Sequence, residues 1–185
     1  GTVLGDTTAT VQIVEYADYQ CPFCAEFANE VVPQLIEDFV EPGLVTFEFR
    51  AFPFLGGEDL TNPENESVQA AEAAMCALDQ GQFWQYNHLL FERHDGENQG
   101  AFSNENLKAF AGELGLDTTA FDACLDGGQH QQTVLDDFAA GQAAGIDSTP
   151  TIFINGQAIA YTTQGYDLLK RQIQAAIDGV EIPLS

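Results

Sequence analysis

The residues best suited to chemistry in this sequence are two cysteines in the stretch YADYQCPFCAEF, residues 16–27. Two residues separate Cys21 from Cys24, so the pair could form a redox couple, supply half of a metal site, or lie buried as separate thiols. At the start of a helix, unpaired backbone N–H groups and the positive end of the macrodipole stabilise a thiolate. The pKa of Cys21 should then be lowered, and a disulfide between the two cysteines should be attacked readily.

The elements around this pair are predicted to be a strand, a helix and a second strand. Residues 10–16, TVQIVEY, alternate and are β-branched, and residues 44–52, LVTFEFRAF, form an equally strong strand pattern. The helix between them begins at or just after Cys21. It has apolar residues at every fourth position, and we expect a kink near Pro33.

The rest of the sequence predicts a block of helices, two strands and a last helix. Asn155-Gly156 is a strong hairpin-turn signal inside residues 149–161, and residues 166–177 form an amphipathic helix. The helical block is predicted at residues 67–80, 82–94, 103–115, 117–125 and 132–145.

This order of elements predicts an α/β fold in which one mixed sheet, βαβ…ββα, is split by a helical insertion. We expect residues 1–62 and 146–185 to form one domain. Residues 63–145 would form the inserted helical domain.

The charge composition excludes some classes of partner. The sequence has 29 acidic and five basic residues among 185, a formal net charge of −24, and the acids are scattered along the chain. Such a surface repels nucleic acid phosphates and anionic lipid headgroups, so we expect neither as a partner. The excess of acids also resembles proteins of salt-loving organisms, in which salt screens the repulsion between like charges.

Membrane insertion is not expected from the sequence. No apolar run approaches the roughly 20 residues that span a bilayer. The first residue is Gly1, so a signal or an anchor removed from before it would not be visible.

The position of CPFC between strand and helix, followed by STPTIFINGQ at residues 148–157, resembles the thioredoxin superfamily. The helical insert resembles the DsbA-like branch of that superfamily, and the resemblance covers residues 10–178. It implies a thiol–disulfide oxidoreductase that oxidises cysteine-containing proteins outside the cytoplasm. No organic cofactor is implied, and an unidentified redox partner must reoxidise the pair.

The resemblance also assigns roles to single residues. It implies that Pro150 follows a cis peptide bond and packs against the cysteine pair, and that Thr149 offers its backbone to an extended client. Glu15, six residues before Cys21, corresponds to a buried acid that exchanges a proton with Cys24, although its strand position also allows it to face solvent.

The two residues between the cysteines are candidate client contacts. Phe23 could offer an apolar surface to unfolded clients or serve only in packing, and Pro22 lies beside it. Pro-Phe is not the Pro-His of the strongest oxidants in this group, so a reductase or isomerase is an alternative. A further alternative is a non-catalytic binding module in which CPFC is a structural bridge or a metal clip.

Three interpretations apply to Cys76 and Cys124. They could be separate buried thiols, join Cys21 and Cys24 in a four-thiolate zinc site, or form a disulfide. The segments AAMCALD and DACLDGG are similar to those that DsbA-like proteins pair, so the resemblance implies a structural disulfide. Such a bond argues for an oxidising compartment.

The three histidines give no motif of their own. His88, His94 and His130 are far apart in the sequence and lack a metal-ligand spacing. We expect them to be surface or packing residues, and we predict no metal site.

Overall fold

The computed structural model describes residues 1–57, 59–159 and 165–183. Its five strands form one sheet in the order β1-β3-β2-β4-β5, in which β2 and β3 are parallel and the other pairs are antiparallel. This mixed sheet with its helices confirms the predicted α/β fold. The strands are β1 (Val3–Leu4), β2 (Val11–Ala17), β3 (Val45–Ala51), β4 (Thr151–Ile154) and β5 (Gln157–Ile159).

Eight α-helical segments lie in the described part of the chain. They are α1 (Pro22–Glu26), α2 (Val32–Leu35), α3 (Glu66–Asp79), α4 (Phe83–Glu92), α5 (Asn104–Glu113), α6 (Thr118–Asp126), α7 (Gln131–Ala143) and α8 (Gly165–Ile177). None of the described helices is both long and apolar enough to cross a membrane.

The helix that follows Cys21 changes its hydrogen-bond pattern along its length. Two π-helical segments, Phe27–Val31 and Ile36–Val40, lie before and after α2. Pro33, in α2, has no N–H and its ring crowds the preceding turn. The Val32 N–H donates to the carbonyl oxygen of Phe27, five residues earlier. The disturbance expected near Pro33 therefore takes the form of wider helical turns.

Two large apolar clusters hold the sheet and helices together. One joins Ile13 and Phe47 of the sheet to Leu35 of α2 and Ile173 of α8. The other joins Cys21, Cys24, Tyr19 and Phe49 to the helical block of α3 to α6. The cysteine pair therefore lies in a core that the sheet and the insertion share. The division into domains at residues 63 and 146 stays a prediction.

Sequence patterns missed one strand and covered one segment that the structure does not describe. β1 is only two residues long, Val3–Leu4, and its pairing with β3 depends on contacts 43 or more positions away. Residues 160 and 161, the end of the predicted hairpin, lie outside the described residues.

Candidate active site

Cys21 lies at the point where the chain enters α1. It is the N-cap residue, with extended backbone angles, and Pro22 occupies the first turn, where a missing N–H costs nothing. The Cys21 N–H donates to the carbonyl oxygen of Asp18 at 3.0 Å. Cys21 is 4% exposed and Cys24, one turn further along the helix, is 0% exposed. Both are free thiols in the structure.

The environment of Cys21 favours its thiolate. The hydrogen bond from the Cys24 side chain is the largest cause, and it lowers the pKa of Cys21 to about 6 although burial acts in the opposite direction. Hydrogen bonding by Thr149 and by the backbone N–H groups of Cys24 and Phe23 lowers this pKa further. Those N–H groups are the unpaired donors of the first helical turn. Cys21 is therefore largely ionised at neutral pH.

Cys24 has the opposite tendency. Burial raises the pKa of Cys24 far above that of an ordinary thiol, and its hydrogen bond to Cys21 raises it further. The negative charges of Cys21 and Glu15 act in the same direction. One sulfur of the pair is thus suited to leave as an anion, while the other is suited to hold a proton.

Glu15 faces the interior from β2, which resolves the two orientations that its strand position allowed. It is 1% exposed, and among the described residues its Oε1 atom has no hydrogen-bond partner. Burial, and then the charge of Cys21, raises the pKa of Glu15 to about 8. The carboxyl also lines a mainly apolar cavity of about 360 Å³, together with Trp84, Asn87 and Phe91. Glu15 is therefore mostly protonated at neutral pH.

The backbone of Thr149 lies against Cys21 although the two residues are 128 positions apart in the sequence. The Thr149–Pro150 peptide bond is cis. The Cys21 sulfur is 3.4 Å from the carbonyl oxygen of Thr149. Pro150 lines an open groove of about 400 Å³ between residues 144–148 and the edge of the sheet formed by β4 and β5.

The side chains between the two cysteines point outward. Phe23 is 61% exposed, unusual for a large apolar side chain, and Pro22 is also exposed. An exposed aromatic ring beside a reactive sulfur gives an apolar contact for an incoming chain.

A buried polar network holds the loop before Cys21, and no sequence pattern predicted it. Asp18 accepts hydrogen bonds from the backbone N–H groups of Gln20 and Leu55, both at 2.9 Å, and from the Ser67 hydroxyl at 2.8 Å. The side-chain amide of Gln20 donates to the Ser67 hydroxyl, and the backbone carbonyl oxygen of Gln20 is 2.8 Å from His94 Nε2. Several of these partners are 37 to 74 positions apart, so no local pattern connects them.

The other two cysteines are joined to each other. A disulfide between Cys76 and Cys124 links α3 to α6, and both residues are buried. Because Cys76 and Cys124 are bonded to each other, they do not join Cys21 and Cys24 in a four-thiolate site. His94 contacts the backbone carbonyl oxygen of Gln20, next to Cys21. His88 is exposed on α4, and His130 lies beside the Cys76–Cys124 bond.

The chain matches a known protein family over most of its length. Residues 1–175 match the family described as Thioredoxin. Disulfide bond formation protein D of Bacillus subtilis is 30% identical over 183 residues, covering 96% of this chain and 77% of that protein. Na(+)/H(+) antiporter NhaA 1 of Salinispora arenicola is 33% identical over 155 residues, covering 84% of this chain. The chain spans only 22% of the length of that antiporter.

Solved structures agree with this assignment. Oxidised BdbD from Bacillus subtilis has a TM-score of 0.85 and 28% identity, covering 96% of this chain and 93% of that one. Alpha-DsbA1 of Wolbachia pipientis, at 21% identity, shares the fold with a TM-score of 0.80, covering 96% and 91% of the two chains. The chain therefore belongs to the thioredoxin family.

Proposed function

We propose that this chain is a protein disulfide oxidoreductase whose redox centre is the Cys21–Cys24 pair and whose direction is the oxidation of client thiols. The observation that carries the proposal is the opposite shift of the two thiol pKa values, to about 6 for Cys21 and upward for Cys24. A stabilised thiolate favours the reduced pair, which makes the disulfide form an oxidant.

In the first step, a client thiolate attacks the Cys21 sulfur of the oxidised pair. The bond between the client and Cys21 forms, the bond between Cys21 and Cys24 breaks, and Cys24 leaves with the electron pair. Because its pKa is raised, Cys24 takes up a proton, and protonated Glu15 supplies it. The cavity beside Glu15 gives the carboxyl a route to regain a proton from solvent.

In the second step, another client thiolate attacks the client sulfur of the mixed disulfide. Cys21 leaves as a thiolate, which its low pKa favours. The client loses two electrons and gains one disulfide, and the two electrons remain on the reduced cysteine pair. A redox partner with a more oxidising disulfide must then remove them, so the cycle implies a second protein.

Clients are proposed to bind across the surface around Cys21. The open groove at Pro150 lies beside β4 and β5, and an extended chain would pair there with backbone groups near Thr149. Phe23 and Pro22, next to Cys21 in the sequence, add an exposed apolar contact. Backbone pairing and one apolar contact select unfolded, cysteine-containing chains without selecting a particular sequence.

The proposed setting is an oxidising compartment outside the cytoplasm, at high salt. The Cys76–Cys124 disulfide supports the compartment, because such bonds persist where thiols are not kept reduced. The net charge of −24 supports the salt, because self-repulsion of that size is relieved by screening.

The test is the equilibrium of the Cys21–Cys24 pair in glutathione buffers, together with oxidation of a peptide that has two cysteines. We expect a reduction potential at or above about −210 mV and loss of peptide oxidation in Cys21→Ser. The matched Cys24→Ser variant should instead accumulate a mixed disulfide through Cys21. A potential near about −270 mV would indicate a reductase, and an active Cys21→Ser variant would refute the site.

A further inference from the structure

A cluster of metal-binding side chains surrounds the Cys76–Cys124 disulfide, in the helical block. Cys76 lies on α3, Cys124 lies on α6, and His130 lies immediately before α7. The two sulfur atoms and a ring nitrogen of His130 are all within 4.8 Å of one another. Three elements that are distant in the sequence thus place two sulfurs and one imidazole around one point.

A carboxylate lies beside two members of this cluster, His130 and Cys124. Asp79, one turn after Cys76 on α3, has its Oδ2 atom 2.8 Å from His130 Nε2 and 3.9 Å from the Cys124 sulfur. The Asp79 side chain is about half exposed, at 51%, so an ion can enter from solvent on this side. The His130 side chain is mostly buried, at 19% exposed, which limits its freedom to turn away.

A second buried carboxylate lies one turn before Cys76 on the same helix. Glu72 is 1% exposed, and among the residues that the structure describes its Oε1 atom has no hydrogen-bond partner. A buried carboxylate oxygen without a partner is costly unless a positive charge or a donor lies near it. Glu72 therefore leaves an unsatisfied carboxyl oxygen on the helix that carries Cys76.

We propose that reduction of the Cys76–Cys124 disulfide turns this cluster into a tetrahedral site for a thiophilic divalent cation such as Zn²⁺. The four ligands are the sulfurs of Cys76 and Cys124, the Nε2 atom of His130 and a carboxylate oxygen of Asp79. Two sulfurs, one nitrogen and one oxygen form a ligand set that zinc accepts in proteins.

Two of the distances between the proposed ligands need only small changes to suit a bound ion. With Zn–S bonds of about 2.3 Å, the two sulfurs of a tetrahedral site lie about 3.8 Å apart. They move to that separation once the bond between them breaks, and the separation of 2.8 Å between Asp79 and His130 needs to widen only slightly. The ion would replace the direct contact between these two side chains.

The chemistry balances with a dithiol as the reductant. The dithiol loses two electrons and two protons and becomes a disulfide, while the bond between Cys76 and Cys124 breaks and each sulfur takes a proton. Zn²⁺ then displaces both protons to solvent and binds the two thiolates. A newly made chain that has not yet been oxidised reaches the same state without any reductant.

The site would give the helical block two alternative cross-links. When oxidised, α3 and α6 are joined by the disulfide; when reduced, α3, α6 and the start of α7 are joined through the ion. The reduced protein would then keep its helical block ordered instead of losing its only covalent link there among the described residues.

The test uses Co²⁺, whose visible and near-ultraviolet spectrum reports tetrahedral thiolate ligation. The full chain carries Cys21→Ser and Cys24→Ser, so that the only thiols are Cys76 and Cys124, and it is reduced with a phosphine. We expect one Co²⁺ per chain with thiolate charge-transfer absorption, displaced by one Zn²⁺. The oxidised form of the same protein should give no such spectrum.

Variants separate this site from incidental binding. His130→Ala should weaken Co²⁺ binding at least about tenfold, because even an indirect partner of a metal ligand is worth that much. His88→Ala is the matched control, because His88 also pairs with a carboxylate, Glu92 at 3.6 Å, but has no cysteine beside it. The control should bind like the parent.

Near-ultraviolet circular dichroism tests the proposal if the reduced protein does not fold without a metal ion. Zn²⁺ should then restore the near-ultraviolet circular dichroism of the reduced parent, but not that of the His130→Ala variant. Equal binding by the reduced and oxidised proteins, or equal binding by the His130→Ala and parent proteins, would overturn the proposal. No binding by the reduced parent would overturn it as well.

Discussion

At the scale of single residues, the site depends on two identical side chains in different surroundings. Cys21, at the helix start, meets a donor from Cys24 and backbone N–H groups, whereas Cys24 is fully buried one turn later. Hydrogen bonds to the charged form lower a pKa and desolvation raises it. A difference of three positions along the chain therefore separates a sulfur that prefers charge from one that prefers a proton.

Glu15 gives a prediction on stability. Its pKa is about 8 in the folded protein and about 4.3 when unfolded, so the folded state prefers the protonated form. The favourable contribution is complete below about pH 4.3 and is lost as the pH rises toward about 8. Glu15→Gln removes this loss. In the reduced protein, the form in which Cys21 carries its charge, we expect the variant to gain up to about 4 kcal/mol relative to the parent between about pH 5 and pH 8.

Urea unfolding at the two pH values measures this gain. Glu26→Gln is the matched control, because Glu26 lies at the exposed end of α1, and it should leave the pH dependence unchanged. If both variants show the same pH dependence of the free energy of unfolding as the parent, Glu15 does not titrate as a buried acid.

At the scale of elements, α7 is held close to the sheet by a glycine. A β-carbon added at Gly141 would lie 2.6 Å from the ring of Phe52 and 3.2 Å from that of Tyr16. Contacts this short require rings and helix to move apart. We expect Gly141→Ala to lower the free energy of unfolding by about 1–3 kcal/mol, measured by denaturant titration.

Gly112 in α5 supplies the matched control. The nearest atom to an added β-carbon there is Thr118 Cγ2 at 3.7 Å, an ordinary contact. Gly112→Ala should therefore raise stability, by up to about 1 kcal/mol, through helix propensity alone. The close packing of α7 would be contradicted by equal effects of the two substitutions.

Local patterns predict most elements of this fold but few of its contacts. The alternation of residues 10–16 and 44–52 gives β2 and β3, because half-buried strands repeat every two residues. β1 is too short for any pattern. The network around Asp18 joins residues far apart in the sequence, so only the folded chain brings it together.

The candidate site divides in the same way. The spacing of Cys21 and Cys24 and their place before a helix are visible in the sequence. The proximity of His130 to Cys124 is not, because their contact depends on how the turn between α6 and α7 folds back on α3. Spacing along the chain therefore does not show which side chains the fold places beside His130.

At the scale of the whole molecule, charge should control stability. Five basic residues can neutralise only a small part of 29 acids, so repulsion among carboxylates remains. Salt shortens its range from about 10 Å at 0.1 M to about 3 Å at 1 M. We expect the melting temperature to rise between these salt concentrations at neutral pH, and to rise less near about pH 4.5, where many carboxylates are protonated.

An increase in melting temperature that is the same at both pH values would point to a general effect of salt on apolar burial. A melting temperature that does not change with salt would contradict the role given to charge.

The Cys76–Cys124 bond should stabilise the whole molecule as well. It closes a loop of 49 residues, since 124 − 76 + 1 = 49, with a sequence separation of 48. A loop of this length corresponds to about 4 kcal/mol of unfolded-state entropy. Cys76→Ala with Cys124→Ala should lose about that much in guanidinium unfolding with a chelator present. A loss below about 1 kcal/mol would show that the bond constrains little.

The start of α1 should hold Cys21 as a thiolate, and the ultraviolet thiolate absorbance of the reduced protein, followed against pH, measures this. We predict a midpoint at about pH 6, absent in Cys21→Ser. The midpoint should shift upward in Cys24→Ala, which lacks the main hydrogen-bond donor. A midpoint at or above about 8.5, the value of a free thiol, would contradict the account.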